Sequence, residues 1–262
     1  MKIAVTGKGG VGKTTTSALL ARRLVQKGHN VLAVDADPDT NLAACLGFPA
    51  PEKIVPIVEM KELIAERMGT QPGAVGAYFK LNPTVTDIPA KFICEDQGLK
   101  LIVMGMVKRG GAGCACPENT FLKALLGHLL IEREEVILVD MEAGLEHLGR
   151  GTTGEMDGLI VVIEPSLRSI ETLHRIRPLA ADIGVKKIWP LANKIATEEE
   201  REFIESQLGD DHLLACLPYS ERVVKSHRGQ AVLNDAEEAV WHEVDAALKI
   251  IDEALSAKAE GA

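Results

Sequence analysis

Gly7-Lys8-Gly9-Gly10-Val11-Gly12-Lys13-Thr14-Thr15 stands between an apolar strand-like run, Lys2–Thr6, and a helix-forming run, Thr14–Gln26, rich in Ala, Leu and Arg. The spacing is Gly-x-x-x-x-Gly-Lys-Thr, with Gly7, Gly12, Lys13 and Thr14 at the defining positions. Glycines there let the backbone curl until successive N–H groups, from Gly9 and Gly10 through Val11 and Gly12 to Thr15, converge on phosphate oxygens. The helix N-terminus adds the positive end of its dipole. Lys13 would place a point charge between the phosphates, and the Thr14 hydroxyl would ligate Mg²⁺. A strand, a phosphate cradle and a helix therefore open the chain.

The same alternation continues outward from that unit. Strand-like runs fall at Asn30–Asp35, Leu99–Val107, Glu135–Asp140, Gly158–Ile163, Lys187–Ala192 and Leu213–Leu217, separated by helical patterns near 59–68, 119–133, 169–183 and 198–208. Continuous Val/Ile/Leu runs joined by helices predict an α/β fold: a mainly parallel twisted sheet with helices on both faces. Right-handed crossovers place the loops after the strand C-termini at one edge, where ligands bind. One domain, 1–262, accommodates the whole pattern, with Gly69–Ala90 as an insertion rich in Gly, Pro and Thr.

A net charge of −9 with no basic stripe argues against a non-specific grip on nucleic acid. No apolar run reaches the roughly 18 residues that span a bilayer, and 235–259 is acidic and amphipathic rather than a basic membrane helix. The first strand begins at once, which leaves no room for a signal peptide. Five cysteines, two of them one residue apart, do not make a disulfide framework, so the expected compartment is the reducing cytoplasm.

Three strand ends carry candidate chemistry. Asp35-Ala-Asp37-Pro-Asp39-Thr-Asn41 offers carboxylates that can orient a water beside a terminal phosphate and accept its proton. Val136–Asp140 delivers one acid toward a magnesium shell. Asn193, followed by Lys194, presents a donor and an acceptor in one plane, which suits a purine edge.

The remaining signal is Gly110-Gly-Ala-Gly-Cys114-Ala-Cys116-Pro117. Cys114 and Cys116 on a glycine loop just before a helix put two thiols within reach of one ion, and a helix N-terminus favours thiolates. Two sulfurs are too few for a closed site. A twofold axis through the loop would supply the same pair again, making an S₄ set suited to Zn²⁺, Ni²⁺ or an iron–sulfur cluster. Cys45, Cys94 and Cys216 read as core residues, and His147 as a surface residue.

Lys8 and its loop resemble the deviant Walker A loop of the nitrogenase iron protein, MinD, ParA and arsenical-pump ATPases. The resemblance implies a P-loop NTPase architecture of the MinD-like kind, ATP with Mg²⁺, and a homodimer in which Lys8 crosses to the partner's nucleotide. It implies Asp37 as the water-orienting acid, with Asp35 and Asp39 as weaker candidates, Asp140 as the Walker B acid and Gly144 as the switch II glycine. Asn193 would read adenine, with Leu217-Pro218-Tyr219 as the opposite wall. Lys-x-Gly-Gly-x-x-Cys-x-Cys and Asp-Met-x-Ala-Gly-x-Glu-His-Leu further resemble the accessory ATPases that insert nickel into carbon monoxide dehydrogenase, with relatives acting on acetyl-CoA synthase. That likeness implies Ni²⁺ or Zn²⁺ as cargo at Cys114/Cys116. An iron-protein-like [4Fe–4S] reductase and a MinD/ParA-like positioning ATPase are the alternatives.

Overall fold

The computed structural model describes residues 1–71, 78–107, 116–144, 156–185, 187–209, 211–226 and 233–259. Among them, eight strands form one sheet: β1 (Lys2–Gly7), β2 (Val31–Ala36), β3 (Cys94–Asp96), β4 (Leu99–Val103), β5 (Val136–Met141), β6 (Gly158–Ile163), β7 (Ile188–Ile195) and β8 (Cys216–Pro218). Their spatial order is β3-β4-β2-β5-β1-β6-β7-β8. Every neighbouring pair is parallel except β3–β4. The centre of the sheet is β5-β1-β6, so the phosphate loop after β1 leaves from the middle of the ligand-binding edge.

The helices are α1 (Lys13–Gln26), α2 (Leu42–Cys45), α3 (Lys61–Met68), α4 (Ile88–Phe92), α5 (Cys116–Glu132), α6 (Leu167–Asp182), α7 (Glu198–Leu208), α8 (Glu221–Ser226) and α9 (Glu238–Ala259). Side-chain alternation along the strands sorts two cores. Ile3, Val5, Ala33, Leu101, Leu138 and Val162 face α1, α2 and α9. Ala4, Val34, Ile102, Val139 and Val161 face α3, α5 and α6. Strands buried on both faces read as unbroken apolar runs, which is why they were conspicuous in the sequence.

Local chemistry fixes the helix starts. Ser166 Oγ accepts the N–H of Ser169 at 3.3 Å ahead of α6. Ahead of α7, Thr197 Oγ1 accepts from Glu200 N at 3.3 Å, and Glu200 Oε2 accepts from Ala196 N, one residue before the cap, at 2.7 Å.

Some expected boundaries move. The fourth strand ends at Val103 rather than at 107. Met104 and Gly105 both donate to the Asp35 carbonyl, at 2.9 and 3.1 Å, and Gly105 takes φ +65°, turning the apolar run off the ladder. The final strand is Cys216–Pro218 rather than 213–217, and α5 begins at Cys116, three residues earlier than its pattern suggested. The short antiparallel β3 was not foreseen. Its hairpin closes through Gln97 and Gly98, both at positive φ, the two-residue geometry that matches strand twist. Inside the expected insertion, 72–77 lie outside the described residues, while Ile88–Phe92 is helical.

Candidate nucleotide site

At the C-terminal edge, the loop after β1 passes Gly10 and Gly12 at positive φ (+84° and +98°) and runs directly into α1. Thr16 N already donates to the Gly12 carbonyl at 2.9 Å, so the helix starts on the last loop glycine and aims its free N–H groups into the loop. The loop opens onto a cavity of about 470 Å³. Gly9, Gly10, Gly12, Lys13, Thr14 and Thr15 line one side, and Asp37, Asp39 and Asn41 a second. Asn193, Lys194, Pro218 and Tyr219 line the far end. Val11 points the other way, fully buried in the core.

Lys13 and Asp37 are both buried, with Nζ 3.6 Å from Oδ2. Asp37 Oδ1 also accepts the N–H of Asp39 at 2.9 Å. The acid at the phosphate end is therefore held by a cation and a turn, pointing into the cavity. Asp35 is different: completely buried, it accepts N–H groups from Leu42 at 2.9 Å and Asp37 at 3.3 Å, pinning the loop that carries Asp37. It is not among the described residues that line the cavity.

Asp140, next to last in β5, is in register with Asp35 on β2. It accepts from Ser17 Oγ at 3.1 Å and from the Thr14 hydroxyl, while its Oδ2 is buried without a hydrogen-bond partner. An orphaned buried carboxylate oxygen beside Thr14 and Lys13 fits a hydrated Mg²⁺. Ser17, four residues along α1 from Lys13, was missed in the sequence; the i, i+4 spacing from the loop lysine was the available signal.

Burial raises both acids, Asp35 to about 7 and Asp140 to about 6. In the unfolded chain they titrate near the ordinary 3.8, so between about pH 4 and about pH 7 the folded state binds more protons. The stability of the nucleotide-free protein should therefore fall as pH rises through that window. Asp87, held near 2 by Lys91 and Arg67, and Glu135, held near 2 chiefly by Arg133, act in the opposite sense, but their contributions are complete by about pH 5, at the foot of that window. Urea midpoints should be higher at about pH 5 than at about pH 8; a midpoint that rises instead would contradict these carboxylate environments.

The far end of the cavity braces the loop. Asn193 Nδ2 donates to the Val11 carbonyl at 2.7 Å, and Lys194 Nζ donates to the Gly10 carbonyl at 2.5 Å. Both bonds tie up loop carbonyls and fix the curl of the loop. Lys194 does this from a left-handed backbone, φ +63°, an uncommon conformation for a residue with a side chain. Asn193 is thus engaged with the loop, a contact that the expectation of base reading did not include.

Gly144 follows β5 and is half-buried; Glu142, two residues earlier, lines the cavity, and its carbonyl accepts from Thr6 Oγ1 at 2.8 Å. Ser220, Val223 and Val240 extend the wall beyond Tyr219, and none was singled out beforehand. Cys116 is the first residue of α5, while Cys114 and His147 lie outside the described residues. Cys45, Cys94 and Cys216 are half-buried against the core rather than wholly within it. Burial pushes the Cys45 thiol up to about 12, making it a poor nucleophile. Among the described residues no cluster of three metal-ligating side chains occurs, and no helix is long and apolar enough to cross a membrane.

A phosphate loop at the centre of a parallel sheet, with a buried Lys–Asp pair and an orphaned strand-end acid, defines a nucleotide-binding protein of the P-loop class. Residues 2–232 match the CobQ/CobB/MinD/ParA nucleotide binding domain, and the chain belongs to that family. It is 46% identical to the carbon monoxide dehydrogenase accessory protein CooC of Rhodospirillum rubrum, over 85% of each chain. An uncharacterized ATP-binding protein of Methanocaldococcus jannaschii is 42% identical, over 86% of this chain and 88% of that one. The fold is similar to MinD in the MinC:MinD cell division complex of Aquifex aeolicus, with a TM-score of 0.67 at 19% identity, covering 96% of this chain and 95% of that one.

Proposed function

We propose that the chain is a Mg²⁺-dependent ATPase that works as a homodimer in the cytoplasm. Its cargo would be Ni²⁺ or Zn²⁺ gathered between the Cys114/Cys116 pairs of two copies and delivered to carbon monoxide dehydrogenase or the related acetyl-CoA synthase. The observation that carries the reading is the pairing of a preformed phosphate cradle with 46% identity to an accessory protein of carbon monoxide dehydrogenase. The Cys-x-Cys pair adds the chemistry of a carrier: Cys116 opens α5, whose N-terminus favours thiolates.

In this reading Lys13 and the loop N–H groups neutralise the terminal phosphates, and Asp37 orients the attacking water and takes its proton. Thr14 and Asp140 would hold Mg²⁺, which supplies charge neutralisation across the phosphates. Gly144 follows the β5 acid as the backbone that senses the terminal phosphate. Asn193, Lys194 and Pro218 bound the end of the cavity that takes the adenine. Lys8 reaches the partner's nucleotide, so ATP favours the closed dimer in which four thiolates converge. Loss of the terminal phosphate loosens that dimer and releases the metal, and by linkage the metal should itself favour dimers.

Metal analysis and sizing, with and without ATP, test the proposal. Wild type should carry about one metal per two chains, and Cys114→Ser/Cys116→Ser should lose it while still binding ATP. Unchanged metal content in the double variant removes the proposed site. A brown, absorbing species on anaerobic purification would instead favour an iron–sulfur reductase.

A further inference from the structure

The loop carries two lysines, and the fold gives each a different acid. Lys13 turns into the cavity against Asp37. Lys8 does not: Gly9 and Gly10 line the cavity, but Lys8 is not among the described residues that do. Its Nζ lies 3.9 Å from Glu164 Oε1, and the side chain is about a third exposed. Glu164 follows directly after β6, and its N–H donates to Ser169 Oγ at 3.1 Å, in the first turn of α6. The carboxylate thus sits on a strand end and a capped helix, not on a loose segment. Its other oxygen, Oε2, is 3.4 Å from Lys194 Nζ, the same group that holds the Gly10 carbonyl.

We propose that Glu164 is a positioning residue: it draws Lys8 out of its own chain's phosphate cavity and presents it toward solvent, where a second copy can receive it. The physical need is plain. A flexible lysine one residue from the loop glycines would otherwise fold onto the nearest phosphates, those of its own nucleotide, because Coulomb attraction rewards the shortest path. A fixed carboxylate directly after β6 competes for it. At 3.9 Å and partial exposure the competition is weak, which suits a group that must be given up when another phosphate approaches. The inference rests on the dimer reading above for its purpose, but the hold on Lys8 is tested within one chain.

The test is Glu164→Gln, alone and with Lys8→Ala, with Glu164→Asp as the conservative variant. Binding of a slowly hydrolysed ATP analogue with Mg²⁺ is measured at protein concentrations low enough to keep single chains, and steady-state ATP turnover at concentrations that permit dimers. Glu164→Gln should bind the analogue about two- to fivefold more tightly, because Lys8 is released onto its own phosphates, while kcat falls. KM and kcat both decrease, and neither effect survives in the Lys8→Ala background. Glu164→Asp should restore both.

If Glu164 merely supports the loop through Lys194, binding weakens instead and the change is independent of Lys8. Tighter binding that persists without Lys8 would mean simple loss of a repelling charge. Either result, or no change, overturns the inference. Wild type that stays monomeric with saturating ATP would instead sink the dimer reading, leaving the single-chain binding result to judge the hold on Lys8.

Discussion

Lys13→Met should slow ATP turnover by about a hundred- to a thousandfold, the range seen when one preorganised electrostatic donor is removed. Methionine keeps the stem that packs in the buried loop, so the variant isolates the charge. Lys13 is 8% exposed and is the charged group facing the cavity from the first turn of α1. Water cannot replace it there. The loop backbone stays in place, its Val11 and Gly10 carbonyls held by Asn193 and Lys194, so nucleotide should still bind, more weakly. Asp37 loses its ion-pair partner but keeps the N–H of Asp39, which limits the effect on folding. Single-turnover phosphate release and a thermal melt, run side by side, make the check. Turnover within about tenfold of wild type would show that Lys13 is not the principal charge on the phosphates.

Gly7→Ala should be the most damaging small substitution in the loop, and its effect falls on the fold itself. Gly7 closes β1 at φ +150°, a backbone region that side chains rarely adopt, and pairs with Val162 of β6. A Cβ there would lie 2.4 Å from the Val162 carbonyl oxygen and 3.1 Å from Val11 Cγ2. The first neighbour is backbone in the middle of the sheet and cannot swing aside. Backbone strain of about 1–3 kcal/mol adds to overpacking of about 1–3 kcal/mol, a large part of a total stability of about 5–15 kcal/mol. The melting temperature should drop by roughly 4–24 °C for a chain of this size. Gly9→Ala is the matched control: nothing lies within 4 Å of its Cβ, and its φ is not positive. Equal melting temperatures for the two variants would contradict the geometry described at β1.

The parallel sheet was legible because its strands are buried on both faces. Val31–Ala36 and Val136–Met141 carry no polar side chain until the acid near the edge, so strand and site were marked by the same residues. The phosphate loop was legible because its chemistry is local: nine consecutive residues contain the curl, the charge and the helix start. Contacts between distant segments were not. Asn193 bracing Val11 spans 182 positions, and Ser17 meeting Asp140 spans 123, with no short pattern to announce either. Glu164 sits next to a proline, and sequence alone gave it no partner; two lysines converge on it only once β1, β6 and β7 are aligned. Strand ends were misjudged where apolar residues continue past the ladder, as at Met104–Met106, since hydrophobicity records burial and not pairing.

The reversed strand β3 has a consequence for how copies of this molecule can meet. It spans three residues, and Arg22, buried beneath it, reaches Asp96 at 3.9 Å and the Gln97 side chain at 3.4 Å. So brief and anchored a margin offers few unpaired amides for another chain to extend. Lateral stacking into fibre-like ribbons is thereby discouraged on that flank.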